Sequence, residues 1–556
     1  MKLKFFIFVV FLMCLNYGYT MQVEQLTNAG GNAMDWAWAI ANDSNQNSYI
    51  AGSISGNATF GNQTVEYNGD VEMPIFAKIN SSGEFEWVQC FYDNENDDVQ
   101  SLGTAMGIGV DSEDNIYVSG YFTESVLIDG IQLNSNGLWD AFLAKFNSNG
   151  EVLWAKSFGG SGYDMAHGLC VSLGNVLLDD FIYVTGWYST EITIDDFNIP
   201  NMGGSDIYIA KFDINGEIDE FFFAGNESVN YSYQISSGNN GEIGITGASS
   251  GLLNFPVIGE IDFDGAYLYN LDQTNNNAYL NSIDGISPYR IAVDDDNSTI
   301  VAAKLIEDIY IYDEWFYMYN DEPDGILIKT AQPNTNNSQW AIGFNGSGTE
   351  VVRAVCTDQV NNIYIGVTFT DSLSVFGLDF YTESDDDLII FKLNTNGEYI
   401  SHTHILCDGS IKATDMKIRD NSLVVTGWFN GTIESSGMSI SSTNYYDLNI
   451  FVMRISDFVS NIDEDIEENL SLGYDKIDFS IYPNPVYLNN LKINVKSEKL
   501  NIKTISIYNI KGQRVSSISS NKNSYDLDLS NYKNGLYFIR IQDGSYSKTS
   551  KFLIIK

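Results

Sequence analysis

The chain has 556 residues, 73 Asp+Glu against 28 Lys+Arg, and a formal charge of −45. A phosphate-binding surface needs clustered Lys and Arg, so this balance excludes nucleic acid as a partner. Three His and five Cys, with no zinc-like spacing among them, exclude a zinc framework.

Residues 1–20 open with Lys2 and Lys4, followed by the apolar run FFIFVVFLMCL. A positive start and an apolar core too short to span a bilayer comfortably read as a secretory signal, with cleavage expected after Thr20. No later segment reaches ~18 uninterrupted apolar residues, so no membrane span is expected in the mature chain. Cys90, Cys170, Cys356 and Cys407 fall in different predicted strands and read as free thiols.

From there the sequence repeats itself. A short apolar run, usually ending in Gly, appears as SYIAG, IYVSG, IYVTG, IGITG, IVAAK, IYIGV and LVVTG, and its closing residues 52, 120, 186, 247, 304, 367 and 427 lie 57 to 68 apart. A second landmark follows each, usually opening at an Asp: PIFAKINSSGEFEW, DAFLAKFNSNGEVLW, DIYIAKFDINGEI, DGAYLYNLDQ, DGILIKT, DLIIFKLNTNGEYI and DLNIFVMRI. Runs of four to eight residues rich in Ile, Val, Tyr and Phe, bounded by Gly, Asn, Asp and Ser, are strands. Asn149-Gly150 and Asn215-Gly216 are hairpin turns, because both residue types tolerate positive φ. A further run precedes each first landmark, as TAMGIGV (104–110) precedes the turn DSEDN. This gives four strands per repeat.

A single four-stranded sheet cannot bury both its faces, so the repeats must stack. Stacked in a ring they make a propeller. The expectation is therefore an all-β chain with a seven-bladed β-propeller over 21–456. The seventh repeat stops after its third strand, and QVEQLTNAGG (22–31) aligns with EVLWAKSFGG (151–160). Residues 22–29 are expected to close the last blade as its outer strand. The arrangement resembles the beta-propeller repeat family often found in secreted bacterial proteins. The fourth and fifth repeats depart from it, with Tyr269 in place of Lys and Lys304 in place of Gly.

Chemistry is sparse within the repeats. Calcium takes several oxygens from a flexible loop, and Asp93, Asp97 and Asp98, or Asp294, Asp295 and Asp296, are candidate ligands. Neither set has the spaced D-x-D-x-D-G of a dedicated calcium loop, and a solvated loop is the competing reading. No other cofactor is indicated. In EDIYIYDEWFYMYNDEPDG (307–325), Tyr310 and Tyr312 alternate, as do Trp315, Tyr317 and Tyr319. Alternation predicts a half-buried strand pair; an aromatic platform for sugar rings is the alternative. His402 and His404 share one strand face without an evident third ligand. No nucleophile elbow, H-E-x-x-H helix or phosphate loop occurs, so no catalytic residue is assigned.

Residues 457–478 are acidic and lack alternation, which marks a linker. From 479 to 556 the balance reverses, with 12 Lys+Arg against 4 Asp+Glu, or +8, leaving −53 on the preceding 478 residues. Short strands at LKINV, TISIYNI, YDLDLS, GLYFIRIQ and SKFLIIK predict a small antiparallel β-sandwich. Tyr482-Pro483-Asn484-Pro485, then IYNIKGQRV with Gly512 at its turn, then Gly535-Leu536-Tyr537, then a basic end, are similar to the type A sorting domain of bacterial type IX secretion. That resemblance implies a partner, the type IX secretion machinery, and a route through the periplasm to the cell surface or the medium.

Two functions remain open. One is a non-catalytic exported protein whose propeller loops bind a glycan or a protein. The other is an extracellular polysaccharide hydrolase or lyase acting at the propeller channel. The few cations outside the sorting domain weigh against gripping an acidic sugar.

Overall fold

The computed structural model describes residues 19–67, 71–91, 102–173, 180–238, 241–255, 258–272, 277–318, 323–331, 339–382, 384–419 and 421–459 of an N-terminal body. Of a C-terminal body it describes 478–482, 490–496, 503–509, 514–520, 522, 524–530, 532–533, 535–543 and 546–554. Among these, every helix or strand element is a strand. Residues 1–18, the stretch 460–477, Asp93, Asp97, Asp98, Pro483, Asn484, Pro485 and Gly512 lie outside the described residues.

The N-terminal body is a β-propeller. Its main strands form seven antiparallel four-stranded sheets, numbered here in chain order. Sheet 2 is typical: Gly103–Val110, Ile116–Phe122, Asp140–Phe146 and Val152–Phe158 run from the axis outward in sequence order. The seven first strands pack side by side, and the last, Ile411–Arg419, packs against the first, Trp36–Asn42, so the ring is closed. The outer strand of sheet 7 comes from the other end of the chain. Tyr19–Gly31 pairs antiparallel with Asn449–Val459, in register from Tyr19↔Val459 to Ala29↔Ile450.

Burial explains why the apolar runs are nearly continuous. Ser48–Ile54, Asp140–Phe146, Ile363–Phe369 and Asp387–Leu393 are buried at every position, because each lies in a sheet covered on both faces by its neighbours. Phe76, Phe91, Phe142 and Phe146 fill the space between sheets 1 and 2, with Phe76 and Phe146 centred 4.3 Å apart. Each such side chain contributes about 1.5–3 kcal/mol when fully buried. Outer strands are guarded by hairpins from the next sheet: Ala58–Phe60 pairs onto Tyr19–Gly31, and Thr432–Ser435 onto Tyr399–Cys407. An unpaired edge would invite another chain to add a strand.

Two recurring turns bolt the sheets together. After a first strand, an Asp accepts the backbone N–H groups two and four residues on: Asp43 from Asn45 and Asn47, Asp111 from Glu113 and Asn115, Asp358 from Val360 and Asn362. This is an Asx turn. The Asn-Gly hairpin turn is then held by the preceding sheet. Lys145 Nζ and Trp154 Nε1 both donate to the Ile214 carbonyl, at 3.0 and 3.3 Å. Lys329 and Trp340 do the same to Thr395 O. Gly150 (φ +85°) lies against the Trp87 ring, where a Cβ would come within 3.1 Å. The Lys that recurs in the third strands is therefore a connector between sheets.

The C-terminal body is a sandwich. Asp478–Tyr482, Asn490–Lys496 and Ser524–Asp528 form one sheet, and Arg514–Ser520, Lys503–Asn509, Gly535–Asp543 and Tyr546–Ile554 form the other. Leu491, Ile493, Ile505, Ile507, Ile539 and Ile541 belong to one buried cluster.

Candidate functional site at the propeller axis

Each first strand contains one β-bulge, always near its start. The register shifts lie between Ala37 and Ala39, Ala105 and Gly107, Ala166 and Gly168, Ser232 and Gln234, Pro288 and Arg290, Val352 and Ala354, and Ala413 and Asp415. A bulge inserts one unpaired residue and re-aims its side chain. The seven extra residues are Trp38, Met106, His167, Tyr233, Tyr289, Arg353 and Thr414. All seven line a single cavity of about 340 Å³. The propeller thus delivers one side chain per sheet to a common point on its axis.

Their chemistry is mixed and specific. His167 Nδ1 lies 2.6 Å from the Tyr233 carbonyl. Burial, reinforced by the nearby Arg290 charge, pushes His167 down to about 4. The ring is therefore neutral at neutral pH, Nδ1–H donates to that carbonyl, and Nε2 is left as an acceptor. Arg290 is buried and spans the channel: its Nε donates to Thr414 O at 2.6 Å and an Nη donates to Trp38 O. Its charge faces Asp415, 3.7 Å away, whose oxygens also accept from the Ile40 and Met416 amides. Arg353 stacks over the Tyr289 ring at 4.9 Å, and its buried Nε has no hydrogen-bond partner.

Two files of aromatic rings lead to the cavity. Trp428 meets Trp36 edge-on at 5.1 Å, and Trp36 stacks on Trp38 at 5.6 Å. Trp187 meets Tyr231 edge-on at 5.2 Å, and Tyr231 stacks on Tyr233 at 6.0 Å. A second recess, about 480 Å³, opens at the far ends of the first strands and includes Lys417 and Arg419.

The other candidates are placed as follows. Asp294 is buried, accepts the Asp296 and Ser298 amides through Oδ1, and pairs through Oδ2 with Lys329 at 2.7 Å. The Asp295 amide donates to Asn361, and Asp296 Oδ2 accepts from the same side chain. The three therefore serve the turn and its neighbour separately. Among the described residues no group of three or more His, Cys, Asp or Glu is arranged to hold a metal. His404 bonds Asp387 at 3.0 Å and His402 bonds Tyr399 at 2.8 Å, both against Phe380. Cys90, Cys170, Cys356 and Cys407 are free, and burial raises every one of them.

The aromatic hairpin Ile309–Ile311 and Glu314–Phe316 alternates, but with its aromatic face outward. Ile309, Ile311 and Phe316 pack inward, while Tyr310, Trp315 and Tyr317 are 54–58% exposed. In the C-terminal body, Tyr482 ends a strand, and Gly535 and Leu536 open one. Tyr537 is buried, and its hydroxyl donates to Lys533 O at 3.1 Å.

Residues 480–556 match the family described as the secretion system C-terminal sorting domain. The chain is a β-propeller protein with a type IX secretion sorting tail. The tail directs export to the cell surface or extracellular space and implies interaction with the type IX machinery. Among the described residues no helix is long and apolar enough to cross a membrane. An uncharacterized WD repeat-containing protein, L264, of Acanthamoeba polyphaga mimivirus is 23% identical over 180 residues, which are 28% of this chain and about 12% of that relative's length. The Dos1 propeller structure aligns with 78% of this chain and 95% of its own at 10% identity and a TM-score of 0.39. The structure of PorZ, a surface component of the type IX secretion system of Porphyromonas gingivalis, aligns with 94% of this chain and 81% of its own at 10% identity and a TM-score of 0.20.

Proposed function

We propose that this exported propeller is a binding protein that takes a glycan or a glycan-bearing protein at the axial cavity. The observation that carries the reading is the ring of seven bulges. Every sheet sends one side chain to the same cavity, six residue types among the seven, with Trp and Tyr rings leading in. A purely structural repeat needs no such concentration of unlike residues at one level of the axis. Aromatic faces suit the C–H faces of sugar rings, and His167 and Gln234 offer polar groups beside them. Pockets of this kind, mostly apolar with a few placed polar groups, are the usual form of a small-ligand site.

The test is a glycan array probed with the exported protein and with Trp38→Ala. Saturable binding that the substitution removes supports the reading. Binding that survives Trp38→Ala with unchanged affinity places the ligand elsewhere and refutes it.

A further inference from the structure

Resting on that reading, we propose that the axial site is selective for a glycan ending in an acidic sugar, with the Arg353 guanidinium receiving the carboxylate. Cations are scarce here. Only 28 − 12 = 16 Lys+Arg stand outside the sorting domain, in a region of net charge −53. In such surroundings a guanidinium readily finds a carboxylate. Arg290 faces Asp415, Lys412 bonds Asp386 at 2.6 Å, and Lys145 and Lys329 pair with buried Asp residues. Arg353 differs from all of these. Among the described residues it has no ion pair and no hydrogen bond, and its Nε is buried from water. Its one partner is the Tyr289 ring, which leaves the planar edge of the guanidinium unused.

Arg353 is half-buried, and its Nε, shut from water without a partner, is costly unless something completes it. The fork of N–H groups matches a carboxylate in two parallel hydrogen bonds. Arg290 lies in the same wall. No carboxyl group is among the residues lining the cavity. The remaining wall supplies what a sugar ring requires, with Trp38 and Tyr233 as flat faces and Gln234 and Ser287 as polar side chains. The volume, about 340 Å³, is at the small end of ligand sites, which run to roughly 1,000 Å³. It suits one terminal residue rather than a polyanionic chain, which the acidic body would also repel. The low cation count weighs against an acidic sugar only while the cations are scattered; the fold brings two Arg to one cavity.

The experiment is calorimetric titration of the exported protein with two matched probes, one oligosaccharide terminated in glucuronate and the same oligosaccharide terminated in glucose. The expected result is at least tenfold tighter binding of the glucuronate form. Arg353→Gln should reduce that preference to about onefold while keeping the weaker binding of the glucose form, and Arg353→Lys should restore part of it. Equal affinity of the wild type for both probes, or an unchanged preference in Arg353→Gln, overturns the proposal and leaves axial glycan binding standing. If a folded wild type binds neither probe, both the acidic-sugar proposal and the glycan reading of this cavity fail.

Discussion

Replacing Asp164 with Asn should stabilise the propeller above neutral pH and flatten its stability profile. Asp164 is fully buried at the start of the first strand of sheet 3. One of its oxygens accepts the Gly160 amide at 2.7 Å, while the Asp140 carboxylate of the neighbouring sheet adds repulsion. Burial is the larger cause, and together they raise Asp164 from 3.8 to about 7. Asp35, beside the closure of the ring, is raised to about 7 in the same way, chiefly by burial. The raised value belongs to the folded state, so between about pH 4 and pH 7 the native protein holds more protons than the unfolded chain. Stability from these groups is fully present below about pH 4 and is lost as pH rises through 7. At about 1.4 kcal/mol per pKa unit, a shift of about three units is worth up to about 4 kcal/mol for each residue. Asn keeps the acceptor for Gly160 and carries no charge to desolvate. Melting curves from pH 5 to pH 8.5 should show the wild type losing several degrees and Asp164→Asn losing clearly less. The low net charge at acid pH also reduces general repulsion, so the comparison between the two proteins is what decides. A wild type and variant with parallel profiles, or a variant that melts lower at pH 8, would refute the reasoning.

Other consequences are independent of that one. Lys145→Met removes the partner of Asp111 at 3.4 Å and the donor to Ile214 O, leaving a buried carboxylate, and should cost about 3–5 kcal/mol in a denaturant titration. Phe142→Ala, at the contact of sheets 1 and 2, should cost about 3–5 kcal/mol. Deleting residues 19–31 bares the edge of Asn449–Val459 and should give a protein that melts far lower and associates, read by scattering. A chain ending at Ser460 should remain in the periplasm, because the sorting domain is absent; its appearance at the cell surface would remove the tail's role in export.

The propeller is legible in the sequence because the second and third strands of each sheet share a burial pattern on both faces, and shared burial leaves shared residues. The site is less legible for the complementary reason. The bulged positions hold Trp, Met, His, Tyr, Tyr, Arg and Thr, so a search for what the repeats have in common passes over them. A signal did exist: small residues flank several of them, as in Ala37-Trp38-Ala39, Ala105-Met106-Gly107 and Ala166-His167-Gly168, where the bulge brings backbone close to backbone. Periodicity finds the aromatic hairpin at 309–316 but not which face is buried, since inward Ile and outward Tyr alternate equally well. The acidic stretch at 294–296 shows three carboxylates in a row, but not that Lys329, distant in sequence, pairs with Asp294.

The axial site and the exposed hairpin of Tyr310, Trp315 and Tyr317 are two aromatic surfaces a ligand could use, and one footprinting measurement separates them. Hydroxyl-radical oxidation of the exported protein would be mapped with and without the strongest glycan from the array. The expected result is protection of Trp36, Trp38 and Tyr233 with Trp315 and Tyr317 unchanged. Protection confined to the hairpin, with Trp38 and Tyr233 oxidised as before, would contradict ligand binding at the propeller axis.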